Sequence, residues 1–217
     1  MVIHLTASEK GKLSFTASVQ SAAGLTTTVN AKDGRITLAG QVDDNQLKCE
    51  MQAQIVNKGG EAKDNSDGTV AVSDADEVMI VLSTGTDYEN KYPEYRGEDP
   101  HDTIIEREDK AADKEYSDLK EAHVNDHQQL FDRVDLDLGG TCPTLPTDQM
   151  MKNYRAGDYQ LAVEEMVYQF GRYLPIAGSR EGDPLPTNLV GIWSFSQHAW
   201  GGDFPFNVNV QNDYWPA

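Results

Sequence analysis

The chain has 217 residues and a net charge of −18, from 36 acidic and 18 basic side chains. This excess of negative charge argues against nucleic acids and anionic membrane surfaces as partners, because both require a basic patch. No apolar run approaches the roughly 18 residues of a membrane-spanning helix. The two cysteines, Cys49 and Cys142, show no metal-ligand spacing.

The first third of the sequence alternates between apolar and polar residues, as half-buried strands do. Asp33-Gly34 predicts a hairpin turn between two of these segments. Strands are predicted at residues 2–6, 12–19, 26–30, 36–39, 50–56, 69–72 and 78–83. Short, regular strands separated by turns favour an antiparallel β-sandwich. Because the chain starts inside a strand pattern, we expect that it begins within a domain.

The negative charge is concentrated in residues 61–140, which hold 23 acidic and 8 basic residues. From residue 84 to about residue 110 the sequence is rich in Gly, Pro, Tyr and acidic residues, which predicts a solvated connector. Helical periodicity then runs from Tyr116 to Val134. A second helix is predicted from about Asp158, with Pro175 ending it.

Two histidines of the first helix, His123 and His127, have the i, i+4 spacing of a metal-binding pair. The Glu that follows the first His in zinc peptidase motifs is missing, since the intervening residues are Val-Asn-Asp. Both histidines continue the apolar stripe. We therefore interpret them as packing residues and expect no metal.

Seven of the 18 aromatic residues lie between Trp193 and Trp215, interleaved with Asn, Gln, His and Asp. Aromatic faces beside amides and carboxylates suit a sugar, which offers a C–H face for stacking and hydroxyls for hydrogen bonds. An ordinary buried core with satisfied polar groups is the alternative. No Gly-x-Ser-x-Gly pattern supports a serine nucleophile.

The segment Phe-Asn-Val-Asn-Val-Gln makes the sugar hypothesis more specific. If extended, it places three amides on one face: Asn207, Asn209 and Gln211. Such amides can hold a water or a hydroxyl in a fixed orientation, but an amide cannot act as a general base. A carboxylate partner is therefore required, and Asp203 and Asp213 are the nearby candidates.

The motifs LPTNLVGIW (185–193), WGGDFPFNVNVQ (200–211) and YWPA (214–217) resemble glycoside hydrolase family 95, the family of inverting α-L-fucosidases. Weaker similarity extends back to the first strands. The resemblance implies a multi-domain, β then α architecture. We expect the end of a β-super-sandwich in residues 1–84, an acidic linker with a helix in 85–140, and the first part of an (α/α)6 barrel in 141–217. On this interpretation the chain is a fragment.

In the family, a Glu protonates the leaving group, and an Asp, helped by two asparagines, activates water. By resemblance, Asn207 and Asn209 are those asparagines, and no cofactor is implied. The acid and the base are expected beyond residue 217, so the fragment is expected to be inactive alone. The residues expected to bind substrate are Trp193, Trp200, Asp203, Pro205 and Gln211.

The resemblance implies a fucosylated oligosaccharide or glycoconjugate as substrate. Family members commonly have a His that contacts the C4–C6 side of the sugar where this sequence has Pro205. An α-L-galactosidase is therefore one alternative. A carbohydrate-binding protein without catalysis is another. Enzymes of this family are often secreted or periplasmic, but these residues assign no location, and an export signal would lie outside them.

Overall fold

The computed structural model describes residues 1–22, 24–141, 144–183, 185–193 and 203–216. The chain divides into two compact units, Met1–Glu121 and Ala122–Ala217. Within the described residues, strands occur only in the first unit. The predicted order, a sandwich-like β region followed by helices, is confirmed.

The described part of the first unit forms two antiparallel sheets. Sheet A has the strand order β1-β8-β5-β4-β3, and sheet B has the order β2-β7-β6. The strands are β1 (Val2–Thr6), β2 (Leu13–Ala17), β3 (Leu25–Lys32), β4 (Arg35–Val42), β5 (Lys48–Lys58), β6 (Glu61–Asp64), β7 (Val70–Ala75) and β8 (Glu77–Thr86). All seven predicted strands lie within or overlap these elements. Strand β6 was missed because its sequence, EAKD, has no apolar alternation.

The predicted hairpin joins β3 and β4. Asp33 and Gly34 have φ values of 54° and 73°, the left-handed conformation that a two-residue turn between twisted strands requires. Lys32 and Arg35 pair directly across this turn. A second tight turn follows β5, where a Cβ on Gly60 would lie 2.1 Å from the carbonyl oxygen of Ser73. Only glycine fits there.

The core of the first unit contains residues from both sheets. Sheet A contributes residues of β4, β5 and β8, and sheet B contributes residues of β7. These core residues are Ile36, Ala53, Ile55, Val70, Val72, Ala75 and Val78. The alternation that predicted the strands therefore also selects the side chains that close the sandwich.

Helix α1 (His101–Ala112) lies in the region that was predicted to be an irregular connector. It packs against β5 and β8 of sheet A. Gly85 permits this close packing, because a Cβ there would lie 2.9 Å from Cβ of Pro100. The helix was missed because its buried positions, four residues apart, are Ile104 and Glu108. A carboxylate at a core position interrupts the apolar stripe.

Four further helices follow: α2 (Tyr116–Phe131), α3 (Thr147–Arg155), α4 (Leu161–Gly178) and α5 (Val208–Asp213). Helix α2 was predicted correctly, whereas α3 was not predicted. Helix α4 begins three residues later than expected and continues through Pro175, which lies in its last turn. None of the helices in the described ranges is both long enough and apolar enough to cross a bilayer.

Replacing Ile36 by alanine should lower the free energy of unfolding by about 3 kcal/mol, because this fully buried side chain would leave a cavity in the core. Val29→Ala is the matched control. Val29 is 36% exposed on β3, so its truncation should cost less than about 1 kcal/mol. Urea denaturation followed by circular dichroism measures both. Equal losses would contradict the placement of Ile36 in the core.

Candidate active site

The amide-rich segment near the end of the chain is helical, which corrects the extended arrangement considered above. Asn207 is the N-cap of α5, and its Oδ1 accepts a hydrogen bond of 2.8 Å from the backbone N–H of Asn209. Asparagine is among the strongest N-cap residues, and this preference outweighs a short alternating pattern. Because successive helical residues rotate by about 100°, Asn209 and Gln211 lie on opposite sides of α5, so the three amides do not form one face.

The cap determines which atoms of the asparagine pair can reach a ligand. Since Oδ1 of Asn207 is used by the backbone, the plane of this amide is fixed and Nδ2 is its donor side. The Asn207 side chain is exposed, and that of Asn209 is half-buried. The cap therefore orients the Asn207 amide and leaves its donor side exposed.

A cavity of about 260 Å³ lies beside α5 within the second unit. One wall comes from the C-terminal half of α4, a second from residues 187–193, and a third from Asp213 and Pro216. Gly171 and Gly178 contribute no side chain to the α4 wall. Among the candidate residues, the cavity brings together Trp193 and Asp213.

Asp213 has the electrostatic environment expected of a functional carboxyl group. Its Oδ2 is buried, and no residue of the described ranges donates a hydrogen bond to it. Burial raises the pKa of this carboxyl above the ordinary aspartate value. Asp213 therefore holds a proton closer to neutral pH than an exposed aspartate does.

The other candidates lie outside the cavity wall. Asp203 is exposed, and its carbonyl oxygen accepts a 3.3 Å hydrogen bond from the N–H of Leu189. Pro205 is half-buried, and its carbonyl oxygen accepts from the N–H of Asn207 at 2.6 Å. Gln211 is exposed on α5. Trp200 lies outside the described residues.

Sequence reasoning missed the anchoring role of Tyr214. Its hydroxyl accepts a 2.9 Å hydrogen bond from the N–H of Thr187 and lies 2.7 Å from Oγ of Ser179. These contacts join the end of α4, the 187–193 segment and the residue that follows α5. The only sequence signal was the position of Tyr214 in the YWPA motif. There it was interpreted as one of the aromatic residues, and its hydroxyl was not considered.

Arg172 is a second anchor that the sequence did not reveal. It is 2% exposed and donates to the carbonyl oxygen of Val134 at 3.0 Å, after the end of α2. Its guanidinium lies 4.8 Å from the ring centroid of Phe131. His127 stacks on the same ring at 5.1 Å, which supports its interpretation as a packing residue. His123, in contrast, is exposed.

Replacing Tyr214 by phenylalanine should destabilise the second unit by about 1 kcal/mol, because the Thr187 N–H loses its acceptor while the ring remains. Hydrogen exchange of residues 208–213 should increase correspondingly. Tyr159→Phe is the control, since Tyr159 is 72% exposed. Unchanged exchange in the Tyr214→Phe variant would show that the hydroxyl does not anchor α5.

Comparison with known proteins places this site in a family. The family model described as the glycosyl hydrolase family 95 catalytic domain matches residues 115–217, and the glycosyl hydrolase family 65 N-terminal domain matches residues 1–91. A probable alpha-fucosidase A of Aspergillus niger is 36% identical over 69% of this chain and 20% of the relative. An alpha-L-fucosidase 2 of Arabidopsis thaliana is 26% identical over 99% of this chain and 29% of the relative.

A probable alpha-fucosidase A of Aspergillus oryzae is 30% identical over 71% of this chain and 23% of the relative. The chain thus spans between a fifth and a third of the length of these relatives. The catalytic-domain match contains α5, the asparagine pair and the cavity. The chain therefore belongs to glycoside hydrolase family 95.

Proposed function

We propose that this chain is part of an inverting α-L-fucosidase that removes terminal α-L-fucosyl residues from oligosaccharides or glycoconjugates. Three relatives are named as α-fucosidases, which supports this substrate. The observation that carries the proposal is the Asn207–Asn209 pair inside the matched catalytic segment, in which the N-cap hydrogen bond fixes the Asn207 amide. Its function there is to orient the attacking water.

In the proposed mechanism, the two amides bind the water that attacks the anomeric carbon from the face opposite the leaving group. They hold its lone pair toward that carbon but do not accept its proton, because an amide has no useful pKa. A carboxylate removes the proton, and a carboxylic acid protonates the glycosidic oxygen. In inverting enzymes these two groups stand roughly 6.5–9.5 Å apart, which leaves room for the water.

The proposed architecture assigns residues 1–84 to the end of an N-terminal β-sandwich domain and residues 85–140 to an acidic linker. Residues 141–217 are the opening helices of an (α/α)6 barrel. The matched catalytic-domain model begins at residue 115, inside this linker. In this proposal the general acid and base lie in barrel segments outside the chain described here. Trp193, Trp200, Asp203, Pro205 and Gln211 contribute to sugar binding.

A second candidate substrate is α-L-galactoside, which differs from α-L-fucoside by a hydroxyl on C6. The observation that favours it is Pro205, a half-buried residue with no side-chain donor. In a protein of full family length, rates on nitrophenyl α-L-fucoside and nitrophenyl α-L-galactoside should differ by at least about tenfold in favour of the fucoside. A pocket that rejects an added hydroxyl discriminates on this scale. The opposite preference would make the protein an α-L-galactosidase.

In a protein of full family length, Asn207→Ala should lower kcat about 10²–10⁴-fold, the scale of lost acid–base assistance. Asn212→Ala is the matched control, because Asn212 is an exposed asparagine of the same helix, and it should retain kcat. Asn207→Ser keeps a cap and should restore stability without restoring the rate. An unchanged kcat in Asn207→Ala would remove the water-orienting role. Residues 1–217 alone should release no fucose.

A further inference from the structure

The strongest observation outside the proposed site is a buried carboxyl group beneath α1. Glu108 is 0% exposed, and neither of its carboxyl oxygens has a hydrogen-bond partner in the described ranges. Nε of Arg35 lies 3.6 Å from Oε2. Arg35 donates its hydrogen bonds to other residues: its Nε donates to Gln54 at 2.9 Å and its Nη2 to Asp109.

The sheet face beneath Glu108 also carries unpartnered polar atoms. Gln52 on β5 and Ser83 on β8 are directly opposite each other, and both are buried. Oε1 of Gln52 and Oγ of Ser83 have no hydrogen-bond partner within the part of the chain that the structure describes. The Ser83 hydroxyl can donate or accept, but Oε1 of Gln52 can only accept. A protonated Glu108 adds a donor to this group of buried polar atoms, whereas an ionised Glu108 adds only acceptors and bears the full cost of desolvation.

Two histidine–glutamate contacts lie at the ends of the same helical segment. At the start of α1, Nδ1 of His101 lies 2.9 Å from Oε1 of the buried Glu50. At the start of α2, Nε2 of His4 lies 2.9 Å from Oε1 of Glu77, and the His4 ring stacks on Tyr116 at 3.9 Å. These contacts attach both ends of residues 101–116 to sheet A.

We propose that residues 101–116 form an acid-stabilised clasp on sheet A. A proton on Glu108 holds the clasp closed, and the clasp loosens as the pH rises through neutrality. This inference concerns the first unit and does not depend on the proposed fucosidase activity.

The charged groups around Glu108 determine the direction of this response. Burial raises the pKa of Glu108 to about 7, while Arg35, the Ser83 N–H and the chain's amino group lower it and Asp109 raises it. Those groups come from β4, β8, the start of β1 and α1; β5 contributes Glu50 and the neutral Gln52. The folded state thus binds a proton that an unfolded glutamate has released, so stability falls between about pH 4.3 and pH 7.

The His4 contact holds the other end of the clasp. Its hydrogen bond, together with Lys58, holds the pKa of Glu77 below the ordinary value. Glu77 therefore stays ionised near neutral pH, so the His4 ring keeps a charged acceptor there. Lys58 also bridges to Glu115 at 2.7 Å and keeps its charge, so it provides the contact that does not titrate near neutrality.

Amide hydrogen exchange of residues 101–112, corrected for intrinsic exchange rates, tests the clasp in the 217-residue chain. Protection at pH 6 should exceed protection at pH 8 by about tenfold, the change that one group with a pKa of about 7 produces over this range. Glu108→Gln keeps the shape without the charge and should reduce the difference to less than threefold. Glu106→Gln is the matched control, because this exposed glutamate of the same helix pairs with Lys110, and it should respond like the unmodified chain.

Equal protection at pH 6 and pH 8 in the unmodified chain would overturn the proposal, and so would an unaltered difference in Glu108→Gln. A carbon-13 titration of the Glu108 carboxyl gives a readout that needs no substitution. A midpoint near pH 7 supports the clasp even if Glu108→Gln does not fold. A midpoint near that of an ordinary glutamate rejects it.

Discussion

The apolar contact between the two sheets is the interaction on which the first unit depends. Strand alternation turns Ile36, Val70 and Val78 into one buried layer, and hydrophobic burial of this kind dominates the stability of a small sandwich. The opposite face of sheet A is then free to receive α1. On that face, Gly85 allows close contact with the segment of α1, and Glu108 places a buried carboxyl group against the sheet. One face of sheet A is therefore held by apolar contacts and the other includes buried polar groups.

The second unit is organised by polar anchors that join short elements. Tyr214 and Arg172 each use one buried polar group to connect backbone segments that lie far apart in sequence. Such anchors satisfy peptide groups that loops would otherwise leave without partners. Tyr214 also fixes the surroundings of α5, which carries the asparagine pair.

Much of the fold could be predicted from local rules, and the exceptions have physical causes. The Asp33-Gly34 turn and the alternating strands follow from backbone preference and burial. Helix α1 could not be recognised because Glu108 occupies a position where periodicity requires an apolar residue. The prediction that α4 ends at Pro175 was wrong. Proline removes one backbone hydrogen bond, and in the last turn of α4 that loss does not end the helix.

The candidate site was predictable in composition but not in geometry. The motif identified the asparagines, yet whether they share a face depends on the cap at Asn207, a choice between two local structures of similar plausibility. Which carboxyl lines the cavity also depends on helix rotation, since Asp213 does so and Asp203 does not. Three-dimensional arrangement decides these points, because spacing along the chain does not specify them.

The N-cap at Asn207 means that one side chain serves both folding and the proposed chemistry. Aspartate and serine cap helices about as well as asparagine, so either residue preserves the start of α5. Neither offers an amide N–H₂ in that position. Selection for a folded protein alone therefore tolerates three residue types at this position, and selection for water orientation retains one. In descendants that had lost the activity, we expect Asn207 to be replaced early by aspartate or serine, without any loss of solubility.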